Sequence, residues 1–537
     1  MTFQSLVDNL VYDTLDVSLP LYWPEMVLCA TIVILLLARL VKGFARVDPF
    51  LFALVGAIAA LALSAPVGGF AALGELQRTE LFTGMLVYDG LTVFLRLVLL
   101  FFAVLLIVLA KLTGLADRDD GQDFYVLLLG ATLGMCIMAS ANHLLTVFLG
   151  VEMASVPSYV LVGIVKGSRR AGEAALKYAV YGAGAAGVML YGVSLIVGLL
   201  GTAHLPTIGL QLAALDLPGM IAEGQEFGTL SALVLAGLMI GVGLAFKLSA
   251  VPFHFWCPDA FAGGTAEVAG FLSVASKAAA LALLVRITLA VCAPQTDLAS
   301  LAPVQNYVAI VIGVIAAVTC TFGNLAAFGQ TNIKRLLAYS TIAHAGYMMM
   351  PVAAVAFLSG DSPGGAEQAV ASLLIYIGVY LFMNLAAFAI VAFLRNAMGS
   401  EEIDDYGGLI HAAPVTTVCL VVIMASLLGI PPLAGFLGKF AAFAVLAKAG
   451  TPLMLTLLVI AGVNTVISLV YYWRVVRTMC LRPEPATRGP IAEGLAPVVY
   501  SALVTLPLFL LFLFPAGLTN LARDAAAQLL PGTQLLP

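Results

Sequence analysis

Charged residues are scarce in this chain. They make up 10% of its 537 residues, whereas a typical soluble domain contains about 25%. Hydrophobic residues make up 62%, and the mean hydropathy is +1.08. Such a composition excludes a soluble globular enzyme, a disordered tail and a nucleic-acid-binding protein. It predicts an all-α polytopic membrane protein whose surroundings are the lipid bilayer, with no nucleic acid as a partner.

Clustered metal ligands are also lacking. No two of the seven cysteines are spaced as in a CxxC motif, so we expect neither zinc nor iron–sulfur ligation by this chain. The N-terminal segment has no basic stretch followed by a short apolar region, so no cleavable signal peptide is expected and the first hydrophobic helix would direct insertion. The cysteines lie at positions 29, 136, 257, 292, 320, 419 and 480.

Long apolar runs are abundant. A membrane-spanning helix needs about 20 mostly apolar residues, and the sequence predicts 14 spans. The runs are continuous rather than alternating, which excludes a β-barrel. The predicted extents are 22–41, 49–66, 86–111, 124–141, 144–165, 174–200, 229–249, 266–291, 307–328, 336–358, 368–394, 412–448 (broken), 453–476 and 495–515.

The distribution of basic residues predicts the orientation. Of the 24 Lys and Arg residues, 16 lie in the loops and helix ends after odd-numbered spans and three in those after even-numbered spans. Because cytoplasmic loops are enriched in Lys and Arg, both termini are expected on the non-cytoplasmic side. The remaining five basic residues lie within hydrophobic spans: Arg96, Lys247, Lys277, Arg286 and Lys439.

Three of these intramembrane cations lie deep in their spans. A lysine at the centre of a membrane helix costs about 2.5–3.5 kcal/mol on insertion scales, so its presence calls for a function. We interpret Lys247, Lys277 and Lys439 as proton carriers, with the alternative that each is half of a structural ion pair. Arg96 and Arg286 lie nearer the span ends and are interpreted as paired or snorkelling side chains.

Acidic and imidazole groups could complete a proton path. Glu152, near the middle of the fifth span, could pair with a lysine, and coupled buried groups of this kind suit a proton relay. His254 and His344 are further candidates because histidine titrates near neutral pH, although each could equally be a structural hydrogen-bond donor. Three further carboxylates could be helix caps or interface groups as well as members of the relay: Asp89, Asp259 and Glu267. Five polar residues could bind either water or helix carbonyls: Ser249, Ser273, Ser276, Tyr178 and Asn384.

Two helix breaks accompany the lysines. Proline removes a backbone hydrogen bond and interrupts a helix, and freed backbone groups within a membrane must face protein or water. Pro252 follows Lys247, and Pro431-Pro432 precedes Lys439. Broken spans 7 and 12 are five apart, an odd offset, which favours two repeats of inverted orientation with ion sites near the membrane midplane.

The segments that carry these residues resemble one family. They are similar to the antiporter-like membrane subunits of respiratory complex I (NADH-quinone oxidoreductase), and most closely to the subunit N members of that family. The loop AGGTAEVAGF (262–271) departs from the family, which more often has EGAPTPV, and this departure introduces Glu267. The matching segments are FLGVEMASVPSYVLVG (148–163), KYAVYGAGAAGVMLYGVSLIVG (177–198), FKLSAVPFHFWCPDAF (246–261), FLSVASKAAALALLVR (271–286), NIKRLLAYSTIAHAGY (332–347) and SLLGIPPLAGFLGKF (426–440).

The resemblance implies a fold and a set of partners. The fold would be 14 helices, with helices 1–3 in 1–123, a first repeat in 124–292, an inverted second repeat in 293–478, and helix 14 in 479–537. The chain would sit in the bacterial inner membrane beside other membrane subunits, including neighbouring antiporter-like subunits. It would hold no redox cofactor, because NADH, FMN, iron–sulfur clusters and quinone would be used in other subunits.

The resemblance also implies roles for the candidate residues. Glu152 and Lys247 would form a coupled pair, Lys277 would be the central relay, and Lys439 would lead outward, with His254 and His344 connecting them. Three alternatives remain open at this stage: a subunit of a multi-subunit sodium/proton antiporter, a structural subunit with an inactive channel, and a general solute transporter. The last has the least support because no binding residues are evident beyond the line of titratable groups.

Overall fold

The computed structural model consists almost entirely of helices. It describes residues 3–38, 48–66, 69–115, 121–215, 227–293, 299–486 and 494–527, together with the isolated positions 217, 219, 221, 488, 489, 491 and 529. In this described part, 11 helices are long and apolar enough to cross a membrane, and a pair bent by 79°, Phe3–Leu21 with Trp23–Ala38, would make 12. The prediction of an all-α polytopic membrane protein is confirmed.

The helices follow most of the predicted spans. Two predicted spans, 49–66 and 412–448, correspond to apolar helices shorter than a full span, and positions 39–41 of the first predicted span lie outside the described residues. The count of 14 spans and the inverted repeats stay predictions. The main α-helices are Phe3–Tyr12, Trp23–Ala38, Pro49–Leu63, Gly90–Leu112, Gly121–Ser140, Leu144–Val162, Arg169–Leu200, Leu205–Ala214, Phe227–Leu248, Trp256–Gly263, Ala266–Cys292, Ala302–Ala327, Ile333–Asp361, Pro363–Met398, Pro414–Leu428, Ala434–Ala449, Pro452–Leu481, Leu495–Thr505, Pro507–Leu513 and Ala516–Ala526.

Three helices form the buried centre of the bundle. They are Ala266–Cys292, Ile333–Asp361 and Pro363–Met398, and nearly all of their side chains are shielded by neighbouring helices. Small residues allow close approach within a membrane, where lipid tails are as apolar as leucine. A Cβ atom added at Gly323, on the neighbouring helix Ala302–Ala327, would lie 2.6 Å from the backbone nitrogen of Ala343. This helix and Ile333–Asp361 therefore pack backbone to backbone at this point.

The first break interrupts the path of the seventh predicted span. The helix Phe227–Leu248 ends just before Ser249, which has a positive φ of 58°. A turn containing Pro252 follows, and the chain resumes as Trp256–Gly263. Because proline has no N–H group, it cannot continue the hydrogen-bonded helix, and the last carbonyls of the first half are left without helical partners.

The second break has a similar form. The helix Pro414–Leu428 ends at Gly429, whose φ of 91° is readily adopted by glycine. The chain passes through Pro431-Pro432 and resumes as Ala434–Ala449. The backbone amide of Gly435 donates to Ser426 Oγ at 3.1 Å, which ties the start of the second half to the end of the first.

Two small elements on the predicted non-cytoplasmic side were not expected from the sequence. Strands Thr79–Leu81 and Leu86–Tyr88 form an antiparallel hairpin in which Thr79 pairs with Tyr88. The helix Ala516–Ala526 packs beside the segment Phe70–Glu75 and against the long central helix Pro363–Met398. The strand Leu86–Tyr88 occupies the start of the third predicted span, 86–111, whose helix begins only at Gly90, and the helix Ala516–Ala526 follows the last predicted span.

Candidate functional site

Lys247 is fully buried at the end of the first half-helix. Its ammonium donates to Ser155 Oγ at 2.9 Å. Ser155 lies three residues after Glu152 on the helix Leu144–Val162. Glu152 is half-buried and is a charged neighbour of Lys247, yet no described carboxylate lies within 4.0 Å of the ammonium. The predicted pair is therefore adjacent and is not locked in a salt bridge.

Lys277 reaches the same break from the helix Ala266–Cys292. Its ammonium donates to the carbonyl of Leu248 at 3.1 Å and to Ser249 Oγ at 2.9 Å. Because Leu248 follows Lys247 directly in sequence, Lys277 binds the backbone immediately beside Lys247. The C-terminal end of a helix carries partial negative charge and has carbonyl groups without helical partners, so it can bind a cation.

The indole ring of Trp256 covers the Lys277 ammonium at 5.9 Å from the ring centroid. The ring stacks on Tyr178, with centroids 4.1 Å apart, and its N–H donates to the carbonyl of Phe246 at 2.9 Å. These contacts fix the indole beside the break. An aromatic face attracts a cation without supplying a fixed negative charge, so Lys277 is held by neutral groups.

Lys439 repeats this arrangement at the second break. Its ammonium donates to the carbonyl of Leu428, the last residue of the preceding half-helix, at 2.9 Å. The ring of Tyr347 lies 4.8 Å from the same ammonium. No described carboxylate lies within ion-pair distance. Two breaks in different parts of the chain thus present helix-terminal carbonyls to buried lysines.

His344 lies in a cluster of hydroxyl groups near Lys439. Its Nδ1 atom is 2.9 Å from Tyr376 Oη, and its Nε2 atom is 3.4 Å from Tyr472 Oη. Tyr376 packs against Gly438, the residue before Lys439, where an added Cβ would meet the ring at 3.2 Å. His344 is also a charged neighbour of Lys439 when protonated, so the imidazole belongs to the second lysine site.

Tyr380 is a further buried member of the cluster around His344. Its ring lies 5.2 Å from the ring of His344, and its buried Oη has no hydrogen-bond partner among the described residues. Within the same described part of the chain, Ser276 Oγ, beside Lys277, and Asn384 Oδ1 are likewise buried without hydrogen-bond partners. Buried polar atoms of this kind are the groups that ordered water binds.

His254 has a different environment. Its ring packs against the rings of Phe255 and Phe322, each with a centroid distance of 4.4 Å. Its Nδ1 atom is buried without a hydrogen-bond partner in the described part of the chain. The structure does not bring His254 into hydrogen-bond contact with a lysine, and its relay role stays a prediction.

The intramembrane arginines are held by carboxylates. Arg96 pairs with Glu25 at 2.5 Å, and both side chains are buried. Arg286 forms two hydrogen bonds with Asp89, at 2.8 and 2.7 Å. Asp89 also caps the helix Gly90–Leu112 by accepting from the backbone of Thr92. The interpretation of both arginines as paired side chains agrees with this geometry.

The remaining polar residues form ion pairs between helices or hydrogen bonds to carbonyls of their own helix. Asp259 pairs with Lys177 at 3.0 Å and with Arg335 at 2.9 Å, an interface between helices. Ser273 donates to the carbonyl of Gly270, and the Asn384 amide donates to the carbonyl of Tyr380. Among the described residues, no group of three or more His, Cys, Asp or Glu residues could hold a metal ion.

Sequence reasoning missed several members of the site. Ser155 shares a helix with Glu152 at a spacing of three residues, a spacing that puts both on one face, so this partner could have been found. Tyr347 lies three residues after His344 on one helix and could have been found in the same way. Tyr376 and Tyr472 are distant from His344 in sequence and meet it only in the folded bundle. No local pattern identifies them.

Comparisons with known proteins identify the family of the chain. The sequence model of the NADH:quinone oxidoreductase/Mrp antiporter transmembrane family matches residues 141–468, which include every candidate relay residue. The fold is that of the antiporter-like class of membrane subunits. A likeness to the Mrp complex from Dietzia sp. DQ12-45-1b, with TM-score 0.77, 20% identity and 95% and 98% of the two chains covered, supports the fold alone.

More similar proteins define the family within that class. NADH-quinone oxidoreductase subunit N of Anaeromyxobacter sp. (strain Fw109-5) is 40% identical, covering 87% of this chain and 88% of that protein. The subunit N of Chlorobium chlorochromatii (strain CaD3) is 34% identical and covers 96% of both. A chain of respiratory complex I from Thermus thermophilus has TM-score 0.70 and 29% identity, covering 93% of this chain and 99% of that chain. The chain belongs to the NADH-quinone oxidoreductase subunit N family.

Proposed function

We propose that this chain is a proton-translocating membrane subunit of NADH-quinone oxidoreductase. In the complex, electrons would pass from NADH to quinone through FMN and iron–sulfur clusters in other subunits. The energy would reach this chain as conformational and electrostatic change transmitted by neighbouring membrane subunits. This chain would supply the proton path and no redox centre.

The observation that carries the proposal is how Lys277 is held. Its ammonium is bound by the carbonyl next to Lys247 and by a hydroxyl, with no described carboxylate in contact. A neutral amine can still donate to the same acceptors, so the site accommodates lysine with or without its extra proton. Arginine is never deprotonated in proteins, which suits Arg96 and Arg286 to the different task of bracing helices.

The proposed path follows the contacts described above. A proton on Lys247, next to Glu152 and Ser155, passes along the first break to Lys277. It then crosses the region of Ser276 and Tyr380 to the cluster around His344, and reaches Lys439. Each transfer is driven by a change in a neighbouring charge, and one unit of pKa corresponds to about 1.4 kcal/mol.

The proposed arrangement in the membrane rests on the distribution of charge. We place both termini on the non-cytoplasmic side of the bacterial inner membrane, since basic residues are concentrated after odd-numbered spans. We assign the first repeat to 124–292 and the inverted second repeat to 293–478, with 1–123 and 479–537 flanking them. The similar forms of the breaks after Leu248 and Leu428 support this division.

Substitutions in the first pair test the proposal. In inverted membrane vesicles containing the whole complex, Glu152→Ala and Lys247→Ala should strongly reduce NADH-driven proton uptake while the complex still assembles. Glu173→Ala removes an exposed carboxylate near the same side of the bundle and should leave pumping unchanged. Normal pumping by both Glu152→Ala and Lys247→Ala would contradict the proposal.

The second candidate function is a sodium/proton antiporter subunit. It is favoured by one observation, the similarity of the fold to that of a chain of the Mrp complex. Sodium-dependent proton exchange with no response to NADH would support it. Co-purification of peripheral iron–sulfur subunits would instead support the respiratory complex.

A further inference from the structure

The helix Phe3–Tyr12 has an apolar face that no described element covers. Its apolar residues recur at the spacing i, i+3, i+4, i+7 and i+8, which places them on one side of an α-helix. None of its side chains is buried by the described part of the chain, and the exposed fractions on the apolar face range from 37% to 84%. The five residues of this face are Phe3, Leu6, Val7, Leu10 and Val11.

A helix of this kind needs a surface to pack against. Most helix stability in proteins comes from the packing of an apolar face, and isolated helices shorter than about 12–15 residues are marginal in water. Phe3–Tyr12 has ten residues, and it continues only through the short segments Asp13–Ser18 and Leu19–Leu21. The exposed apolar face is therefore the place where a stabilising contact is missing from the isolated chain.

The direction of this helix is fixed relative to the first predicted span. The path Phe3–Leu21 is bent by 79° from the helix Trp23–Ala38. The buried side chain of Arg96 holds both sides of the bend, because it donates to the carbonyl of Leu21 at 3.0 Å and to the carboxylate of Glu25 at 2.5 Å. Membrane spans are tilted by about 20° on average from the bilayer normal. A helix nearly perpendicular to a span therefore lies close to the membrane plane.

Two hydrogen bonds attach the same path to the turn of the hairpin. Asp13 Oδ2 accepts from the backbone N–H of Thr83 at 2.9 Å, and Ser18 Oγ accepts from that of Phe82 at 2.7 Å. The ring of Phe82 also packs edge to face on that of Tyr22, with centroids 5.2 Å apart. These contacts engage the residues after the helix Phe3–Tyr12 and leave its apolar face uncovered.

Aromatic residues mark the depth of the helix in the membrane. Tyrosine and tryptophan are enriched at the boundary between bilayer and water, because each has an apolar ring and a polar group. Tyr12, at the end of the helix, and Trp23, at the start of the first predicted span, are both exposed. The helix therefore lies at the level where the lipid headgroups meet the acyl chains.

We propose that Phe3–Tyr12 is an interfacial helix that binds the surface of the lipid bilayer. Its partner is the leaflet at the N-terminal end of Trp23–Ala38, and its apolar face is buried at the boundary between headgroups and acyl chains. This inference goes beyond the proposed function, because it concerns how the chain is attached to the membrane and involves no proton transfer.

The charges of the segment specify the kind of lipid contact. The path Phe3–Leu21 contains no lysine or arginine, and its charged residues are Asp8, Asp13 and Asp16. Interfacial helices rich in lysine and arginine are attracted to anionic lipids, and that attraction is lacking here. Binding rests on the burial of apolar side chains, so a neutral lipid is sufficient.

Photo-cross-linking of the whole complex tests the proposal. The photoreactive residue p-benzoylphenylalanine is placed at Leu6 or Leu10 on the apolar face, or at Asn9 on the polar face as the matched control. The complex is irradiated in vesicles of phosphatidylcholine. Mass spectrometry should find phospholipid attached at positions 6 and 10, and several-fold less at position 9. Replacing part of the lipid by phosphatidylglycerol should not increase the yield.

Three results of this experiment would overturn the proposal. Cross-links from positions 6 and 10 to another subunit would show that a protein partner covers the apolar face. Lipid yields at positions 6 and 10 no higher than at position 9 would show that the face does not enter the bilayer. A yield that rises with phosphatidylglycerol would show that charge, and not apolar burial, is the source of binding.

Hydrogen exchange of the complex in lipid nanodiscs gives a second readout. Leu6→Gln combined with Leu10→Gln keeps good helix formers at both positions and removes two apolar side chains from the face. The amides of residues 3–12 should then exchange faster than in the wild type, whereas Asn9→Gln, on the polar face, should not accelerate exchange. Exchange of the double variant at the wild-type rate would overturn the proposal. If the double variant does not assemble, the cross-linking yields decide.

Discussion

Two sets of cations lie within the membrane spans of this chain, and they are held in opposite ways. Arg96 and Arg286 contact carboxylates at 2.5 and 2.7 Å. Lys277 and Lys439 contact backbone carbonyls at 3.1 and 2.9 Å, with no described carboxylate in ion-pair range. The arginines make closed pairs that fix helix to helix. The lysines donate to backbone carbonyls, which can accept a hydrogen bond from either the ammonium or the neutral amine.

The difference shows what a buried charge contributes in each setting. Removing one member of a buried ion pair leaves the other charge buried without a partner, which lowers the free energy of unfolding. Removing a cation that binds only carbonyls and an aromatic face leaves no opposite charge without a partner. The arginine sites should therefore respond in stability, and the lysine sites should respond in proton transfer.

The largest effect is expected at the closed pair of Arg286. Arg286→Met leaves Asp89 buried and unpaired, which should cost about 3–5 kcal/mol of folding free energy. The assembled complex should be lost or should unfold at a much lower temperature, measured by its yield and by its thermal unfolding. Adding Asp89→Leu should recover part of the loss because no charge is then stranded. An Arg286→Met complex as stable as the wild type would show that the Arg286–Asp89 pair does not stabilise the bundle.

Lys439 provides the contrasting case on a helix with a built-in control. Lys439→Met should abolish most NADH-driven proton pumping with little change in thermal stability, because its removal leaves no described carboxylate buried without its partner. Lys448 lies on the same helix, Ala434–Ala449, and its exposed side chain bonds Gln368. Lys448→Met should pump normally. Equal pumping by the two variants would remove the distinction between buried and exposed lysines.

A smaller effect is expected at Ser155. Ser155→Ala removes the hydroxyl that accepts from Lys247 and should cost about 1 kcal/mol, the typical contribution of one hydrogen bond. We expect assembly to persist and the pH profile of pumping to change, because the Lys247 ammonium loses its neutral acceptor. Ser158→Ala is a matched control, since Ser158 lies on the same helix and its hydroxyl donates to the carbonyl of Ala154. Identical pH profiles for both variants would indicate that Ser155 has only a structural role.

The smallest effect is expected at a partly exposed pair at the ends of two helices. Asp48 accepts from Lys111 at 2.8 Å. Partial burial acts to raise the pKa of Asp48, but the hydrogen bonds from Lys111 and from the Phe50 backbone hold this pKa below its usual value. Its stabilising contribution is therefore present above the unfolded pKa and is lost as the pH falls through the folded pKa. Asp48→Asn should change thermal stability by less than about 1 kcal/mol near neutral pH, and a larger loss would contradict this assignment.

The sequence predicted the features that depend on local chemistry. Lys247, Lys277 and Lys439 stand out because a charge within an apolar run is costly, and Pro252 and Pro431-Pro432 mark the breaks because proline cannot continue a helix. The helical class follows from the length of the apolar runs, and the structure confirms it.

The remaining features depend on contacts between distant segments. Tyr376 and Tyr472 reach His344 across separations of 32 and 128 residues, and Arg286 meets Asp89 across 197. The hairpin Thr79–Leu81 with Leu86–Tyr88 is too short to produce a clear alternating pattern. The direct contacts of Lys277 with the first break could be anticipated only as proximity, because a sequence does not fix which carbonyl a lysine will reach.

The most direct test of the central claim is the number of protons pumped per NADH oxidised by a complex carrying Lys277→Met. It should be measured beside Lys277→Arg, which keeps the charge but cannot release a proton at physiological pH. The proton-relay account predicts that both variants assemble and that both pump markedly fewer protons than the wild type. A wild-type proton yield in both variants would show that Lys277 has only a structural role in the bundle.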